Sequence, residues 1–258
     1  MTVTGPALHR RACLLQTPPF WLGPLWRKGL MMEDPVPHFS NPKAISSYAD
    51  SARRMVPGLS DLHRMTLLLL AEGAPPDARV LVVGAGGGME LAVFAQSQPG
   101  WRFDGVDPAP AMLAVAEETL GPLMERVRLH QGYVDTAPDG PFDAASCLLT
   151  LHFLTPEDRL RTLRLIRQRL KPGAPFVMAH HSVAQDPEAR ALWARRFAAF
   201  GALPGAPPPD ADPARPTLFD LLPVLAPEAE EALLREAGFR DVTLFYAAFS
   251  FRGWVACA

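Results

Sequence analysis

Gly84-Ala85-Gly86-Gly87-Gly88 follows directly on the apolar run Val80-Leu81-Val82-Val83. A glycine-rich turn leaving a buried strand lets the backbone approach a ligand closely, and it aims the N-terminus of the next helix at that ligand. Dinucleotide sites want Gly-x-Gly-x-x-Gly. Counted from Gly84 the last position is Met89, and counted from Gly86 it is Leu91. The spacing present is Gly-x-Gly-x-Gly, which disfavours a nicotinamide oxidoreductase. About 20 residues on, Gly105-Val106-Asp107-Pro108 closes a second apolar run, and a carboxylate there suits ribose hydroxyls. It offers several lone pairs in a fork. The plainer readings are a tight turn without a ligand, and an Asp107 that only caps the following helix.

Three histidines stand where a reaction site would open. His152 follows the predicted fourth strand, and His180 and His181 follow the fifth. A histidine there could take a proton from an N–H or O–H; a satisfied structural histidine is the plainer alternative for each. No cysteine or carboxylate converges on the His180-His181 pair at a metal-ligand spacing, so no metal is expected. Arg159, Arg161, Arg164, Arg167 and Arg169 crowd one predicted helix. With Leu160, Leu163 and Ile166 turned inward, they read as a solvated face rather than a nucleic-acid surface.

The elements that must position these residues alternate. Helices are expected over 44–55 and 60–72, with Ser60 or Asp61 as the second N-cap and Pro57-Gly58 between them. Strands follow at 80–83, 101–106, 127–130, 142–149 and 175–179, with helices at 90–96, 111–120 and 156–170 between them. Thr155 and Pro156 suit the start of the last of these. Continuous apolar strands separated by helices imply a doubly wound, mostly parallel sheet. A helix at 188–200 and a Pro-rich loop at 201–216 come next. A helix at 226–237 and two strands, 242–246 and 249–256, close the chain; the short link between those strands permits only an antiparallel hairpin.

The 258 residues are enough for one α/β domain, and the formal net charge of −2 supplies no general attraction to nucleic acid. Cys13, Cys147 and Cys257 are widely spaced and read as reduced thiols of a cytoplasmic protein. No apolar run approaches the roughly 18 residues of a membrane span. Arg10-Arg11 before a short apolar run faintly suggests a signal peptide, but Pro18-Pro19 break the run and no cleavage site follows. Residues 1–43 read as an N-terminal extension and 44–258 as the functional domain, with 44–75 a helical lid.

Taken together, Gly84 to Gly88, Gly105 to Leu113, Phe142-Asp143 and Leu170-Lys171-Pro172-Gly173 resemble, in order and spacing, the class I S-adenosylmethionine (SAM)-dependent methyltransferases. The likeness covers about residues 44 to 256. It implies a Rossmann-like methyltransferase fold with seven strands and SAM as cofactor. Cofactor contacts would fall on Gly84, Ala85, Gly86, Asp107, Pro108 and Met112, with Leu148 and Leu149 near the sulfonium. Two positions depart from the family. The acid usual in the first strand is Val82, which removes an indirect hold on the cofactor's amino group. The acid usual after the third strand falls near Tyr133, so adenine would rest among Gly132, Tyr133, Val134 and Asp135. Tyr48 to Gly58 and the tail from Ala237 to Phe251 are further similar to the carboxy-SAM synthases of tRNA modification and their methyltransferase relatives. That likeness implies that the N-terminal helix closes over the cofactor, with Tyr48 and Arg54 facing its carboxylate.

The resulting expectation is methyl transfer to a small-molecule acceptor, held in a partly apolar pocket near Trp193, Phe197, Phe200 and the Pro-rich stretch. No membrane or nucleic-acid partner is expected; a homodimer is compatible with the sequence. The alternatives are a carboxy-SAM enzyme, with Arg195, Arg196 or Arg215 meeting the extra carboxylate, and a non-catalytic SAM-binding protein.

Overall fold

The computed structural model describes residues 48–202 and 217–258. The expected extension 1–43, the start of the first helix and positions 203–216 of the Pro-rich stretch lie outside the described residues. Two helices come first, α1 (Tyr48–Met55) and α2 (Leu59–Ala71). The cap of α2 is Gly58, with φ of 66°, and not Ser60 or Asp61, which lie inside the helix. A left-handed residue is what a sharp turn out of α1 requires, and glycine adopts it without a Cβ clash. Helix α2 buries Leu62, Leu67 and Leu70 against the sheet.

Strand and helix then alternate: β1 (Arg79–Val83), α3 (Met89–Ser97), β2 (Arg102–Asp107), α4 (Pro110–Leu120), β3 (Val127–Gln131), β4 (Ala144–Leu148), α5 (Pro156–Arg169) and β5 (Pro175–His181). After them come α6 (Pro187–Gly201), a single turn α7 (Leu218–Leu221), α8 (Pro227–Glu236), β6 (Arg240–Ala248) and β7 (Phe251–Cys257). The seven strands lie in the order β3-β2-β1-β4-β5-β7-β6. All pair in parallel except β7, which runs antiparallel to both β5 and β6. This is the doubly wound sheet expected, with the order reversing between β1 and β4.

Because successive strand residues face opposite ways, the sheet builds two cores. Val80 and Val82 pack with Leu62, Leu91 and Phe94 on one face. Leu81 and Val83 pack with Leu163, Ile166 and Trp254 on the other. Strand β5 runs two residues further than expected because His180 and His181 pair with Arg252 and Phe251 of β7. Gly201, expected in the loop, is the last residue of α6.

The arginine-rich helix also needs correcting. Thr155 caps α5 as expected, accepting the backbone N–H of Asp158 at 3.2 Å. Arg161 and Arg164 are exposed, but Arg159 and Arg169 are buried. Arg159 ion-pairs with the equally buried Glu230 of α8 and donates to the carbonyls of Leu151 at 3.0 Å and Pro223 at 2.9 Å. These acceptors make burial of a guanidinium tolerable. No helix among the described residues is long and apolar enough to cross a membrane.

Candidate functional site

At the reversal point, beyond the C-terminal ends of β1, β2 and β4, lies a cavity open to solvent. Ligands of open α/β sheets bind at this place. The glycine turn forms its floor. Gly84 and Ala85 both donate to the Val106 carbonyl at 2.9 Å, which holds the turn against β2. Gly84 has φ of 78°, and a Cβ there would stand 2.0 Å from Thr150 Oγ1. At Gly86, φ is 49° and a Cβ would meet the Tyr48 hydroxyl at 3.2 Å. Glycine is therefore required both for the bend and for the closeness of the walls.

Asp107 ends β2 and lines the cavity. Its Oδ2 accepts the Gly86 N–H and its Oδ1 the Ala109 N–H, each at 2.9 Å. Burial raises its carboxyl above the ordinary aspartate value, and the two backbone donors oppose that shift. One acid thus ties the glycine turn to the start of α4. Each oxygen keeps a lone pair beyond the one engaged.

The structure brings together most of the residues expected to hold the cofactor. Gly84, Ala85, Gly86, Asp107, Pro108 and Met112 line the cavity, as do Gly132, Tyr133, Val134, Leu148 and Leu149. Tyr48 of α1 covers the glycine turn, and burial together with Glu90 and Asp107 holds its phenol in the protonated form. Leu149 has φ of 58°, a strained conformation for a branched side chain of the kind that clusters at functional sites.

Two expected contacts fall elsewhere. Arg54 does not line the cavity; its Nε donates to the Gly201 carbonyl at 3.2 Å, bracing α1 against α6. Asp135 is also off the wall, in a single 3-10 turn with its side chain directed toward Arg161.

His152, His180 and His181 are buried away from the cavity. The extra length of β5 puts the last two inside the sheet. His180 Nε2 lies 3.1 Å from Glu230 Oε1. His181 stacks on Phe251, with ring centroids 4.0 Å apart, and its Nδ1 lies 2.9 Å from Ser250 Oγ. The His181 N–H points to His152 Nδ1 at 3.4 Å. Burial pushes His181 down to about 3 and His152 well below its ordinary range. The expected aromatic wall is displaced too. Phe197 packs against His181 and Phe251 in the core, and Trp193 lies beneath the Arg196 guanidinium.

Residues that the sequence reading passed over stand in their place. Phe153 and Leu154 join the expected Leu149 in the apolar wall. His63 of α2 lines the cavity and is driven down to about 4 by burial and, secondarily, by Arg53. Glu90 of α3 is buried at the cavity and accepts the Ser146 hydroxyl at 2.8 Å; burial pushes its carboxyl up to about 8. Among the described residues no group of three His, Cys, Asp or Glu could hold a metal.

The chain matches the family described as a methyltransferase domain over residues 81–176. It is 28% identical to the carboxy-S-adenosyl-L-methionine synthase of Chromohalobacter salexigens, over 86% of this chain and 84% of that protein. Among solved structures it resembles a SAM-dependent methyltransferase of Aquifex aeolicus at a TM-score of 0.57 and 18% identity, over 84% of this chain and 98% of that one. It also resembles human N-acetylserotonin methyltransferase in complex with SAM, at a TM-score of 0.56 and 15% identity, over 92% of this chain. The chain spans 61% of the human enzyme's length. At these identities the two structural likenesses establish a shared fold.

Proposed function

We propose that this chain is a class I SAM-dependent methyltransferase, as the methyltransferase-domain match and the carboxy-SAM synthase likeness support, and that it methylates a small-molecule acceptor held against Leu149, Phe153 and Leu154. The observation that carries the reading is the bared glycine turn tied to Asp107 on one continuous cavity wall. When bound, SAM supplies a methyl group on a positively charged sulfur, already activated for transfer. The protein's share is then alignment and exclusion of water. Asp107 would accept hydrogen bonds from the ribose, and Gly132, Tyr133 and Val134 would border the adenine. Tyr48 closes the turn from above. His63 is unprotonated across the neutral range, and its neutral imidazole can accept a hydrogen bond from an acceptor O–H or N–H.

A partly apolar wall suits a compact organic acceptor better than a polynucleotide, and the near-neutral charge agrees. A cytoplasmic setting fits such an activity. Titration calorimetry with SAM, followed by methyl transfer across a panel of small O-, N- and C-nucleophiles, tests the proposal. Binding with turnover is expected; absence of SAM binding by the folded protein overturns it.

The identity with the carboxy-SAM synthase favours a second reading, in which the native cofactor carries an additional carboxylate. A cation would have to meet it. Among the described residues no arginine lines the cavity; Arg195 and Arg196 project from α6 as exposed side chains, and Arg215 lies outside the described residues. Mass spectrometry of the co-purified ligand separates the two cofactors.

A further inference from the structure

Val82 leaves the first strand without the acid that would hold the cofactor's amino group. The fold supplies a carboxylate on the same face of the sheet, one strand over. Val82 pairs in register with Ser146 of β4, so their side chains share one face of the sheet. That face carries α3, as the packing of Val82 with Leu91 and Phe94 shows. From α3, Glu90 reaches down to accept the Ser146 hydroxyl at 2.8 Å, one strand over from Val82 and on the same face. The carboxylate that the strand lacks thus comes from the helix opposite, at the wall where Gly86 and Tyr48 meet.

We propose that Glu90 is the counter-charge that binds the primary ammonium at the amino-acid end of the cofactor, replacing the acid missing at Val82. The inference rests on the SAM-binding reading above. A buried carboxylate held by one hydroxyl and joined, among the described residues, to no basic side chain is poorly stabilised as an anion until a cation arrives. Among the described residues, the titratable groups facing it from other elements are Tyr48 of α1, Cys147 of β4 and, through the cavity, His63 of α2 and Asp107 of β2. None of these supplies a positive charge near neutrality. Glu90 is the only titratable residue on α3. The neutral carboxylic acid of the empty site therefore gives its proton to solvent as the ammonium enters, and the ion pair that forms has no net charge.

The test is titration calorimetry at about pH 6.5, below the α-amino range of roughly 7.7–8.0, so that the ligand's own amine stays charged. Running it in two buffers of different ionisation enthalpy counts protons released. Wild-type protein is expected to release about one proton on binding SAM. Glu90→Gln, which keeps the Ser146 hydrogen bond, should release almost none and bind SAM about tenfold or more weakly. S-adenosylhomocysteine, which retains the ammonium, should weaken equally. Methylthioadenosine, which lacks it, should bind both proteins alike. Loss confined to SAM would place the carboxylate at the sulfonium and overturn the proposal. Equal weakening of all three ligands, or unchanged proton release in Glu90→Gln, would also overturn it. If wild-type protein bound methylthioadenosine but not SAM, the proposal on Glu90 would fail while a nucleoside site survived. If it bound none of the three, the functional reading itself would fail.

Discussion

The Asp107 carboxylate is tied to the backbone and also faces the cavity proposed to hold the cofactor. Its two oxygens each accept one backbone N–H, from Gly86 and Ala109, and each has a lone pair left for a ribose hydroxyl. Asp107→Asn puts an NH2 donor opposite one of those backbone donors and removes the charge. Calorimetry should show the Kd for SAM rising about tenfold to a hundredfold, equivalent to about 1.4–2.8 kcal/mol, with an unchanged Kd removing Asp107 from the site. Asp107 was legible because it ends a strand at a readable distance from the glycines. Glu90 was not. In Gly88-Met89-Glu90-Leu91 it reads as a first-turn acid of the ordinary kind that complements a helix N-terminus. Its significance comes from Ser146, a residue on another strand.

Among the elements, α5 and α8 are joined by an ion pair whose arginine the helical periodicity places on a solvated face. Arg159 and Glu230 are both fully buried, and a buried ion pair that loses one partner leaves an uncompensated charge. Glu230→Ala should destabilise the protein by about 3–5 kcal/mol in urea denaturation. The joint replacement Arg159→Met with Glu230→Leu should recover most of that loss, because two apolar groups need no counter-charge. If Glu230→Ala proved harmless, the pair would not be holding the two helices. The misreading has a plain cause. A helical pattern ranks every arginine as polar, and nothing local reveals that Pro223 and Glu230 close over this one.

Across the whole molecule, buried titratable groups set opposing slopes of stability with pH. His63 and His181 are held near 4 and 3, and His152 well below its ordinary value. The unfolded chain binds protons at these sites below about pH 6.5 while the native state does not, so stability is lost as pH falls through that range. For His63 alone, a shift from 6.5 to about 4 corresponds to about 3 kcal/mol. Glu90 acts in the other direction. Held up to about 8, it favours the native state below the unfolded value, and that contribution is lost as pH rises through 8. Denaturation of the ligand-free protein between about pH 4 and 9 should therefore crest near neutrality. Glu90→Gln should abolish the alkaline decline, and its persistence would show that another group causes it. A site whose acid weakens the empty protein and holds the ligand is a familiar exchange of stability for function.

The sequence alone determined the alternation of strands and helices, the antiparallel closing hairpin and the glycine turn followed by Asp107. Each of these is written in neighbouring residues: apolar runs, glycine spacing, a proline after a capping threonine. The tertiary structure alone decided which side chains reach the cavity. It buried three histidines that the strand ends seemed to offer, drew Arg54 to the Gly201 carbonyl, and brought in His63 and Glu90. Those outcomes depend on how far β5 pairs with β7 and on which strand faces α3. Such contacts join residues tens of positions apart, and no local pattern encodes them.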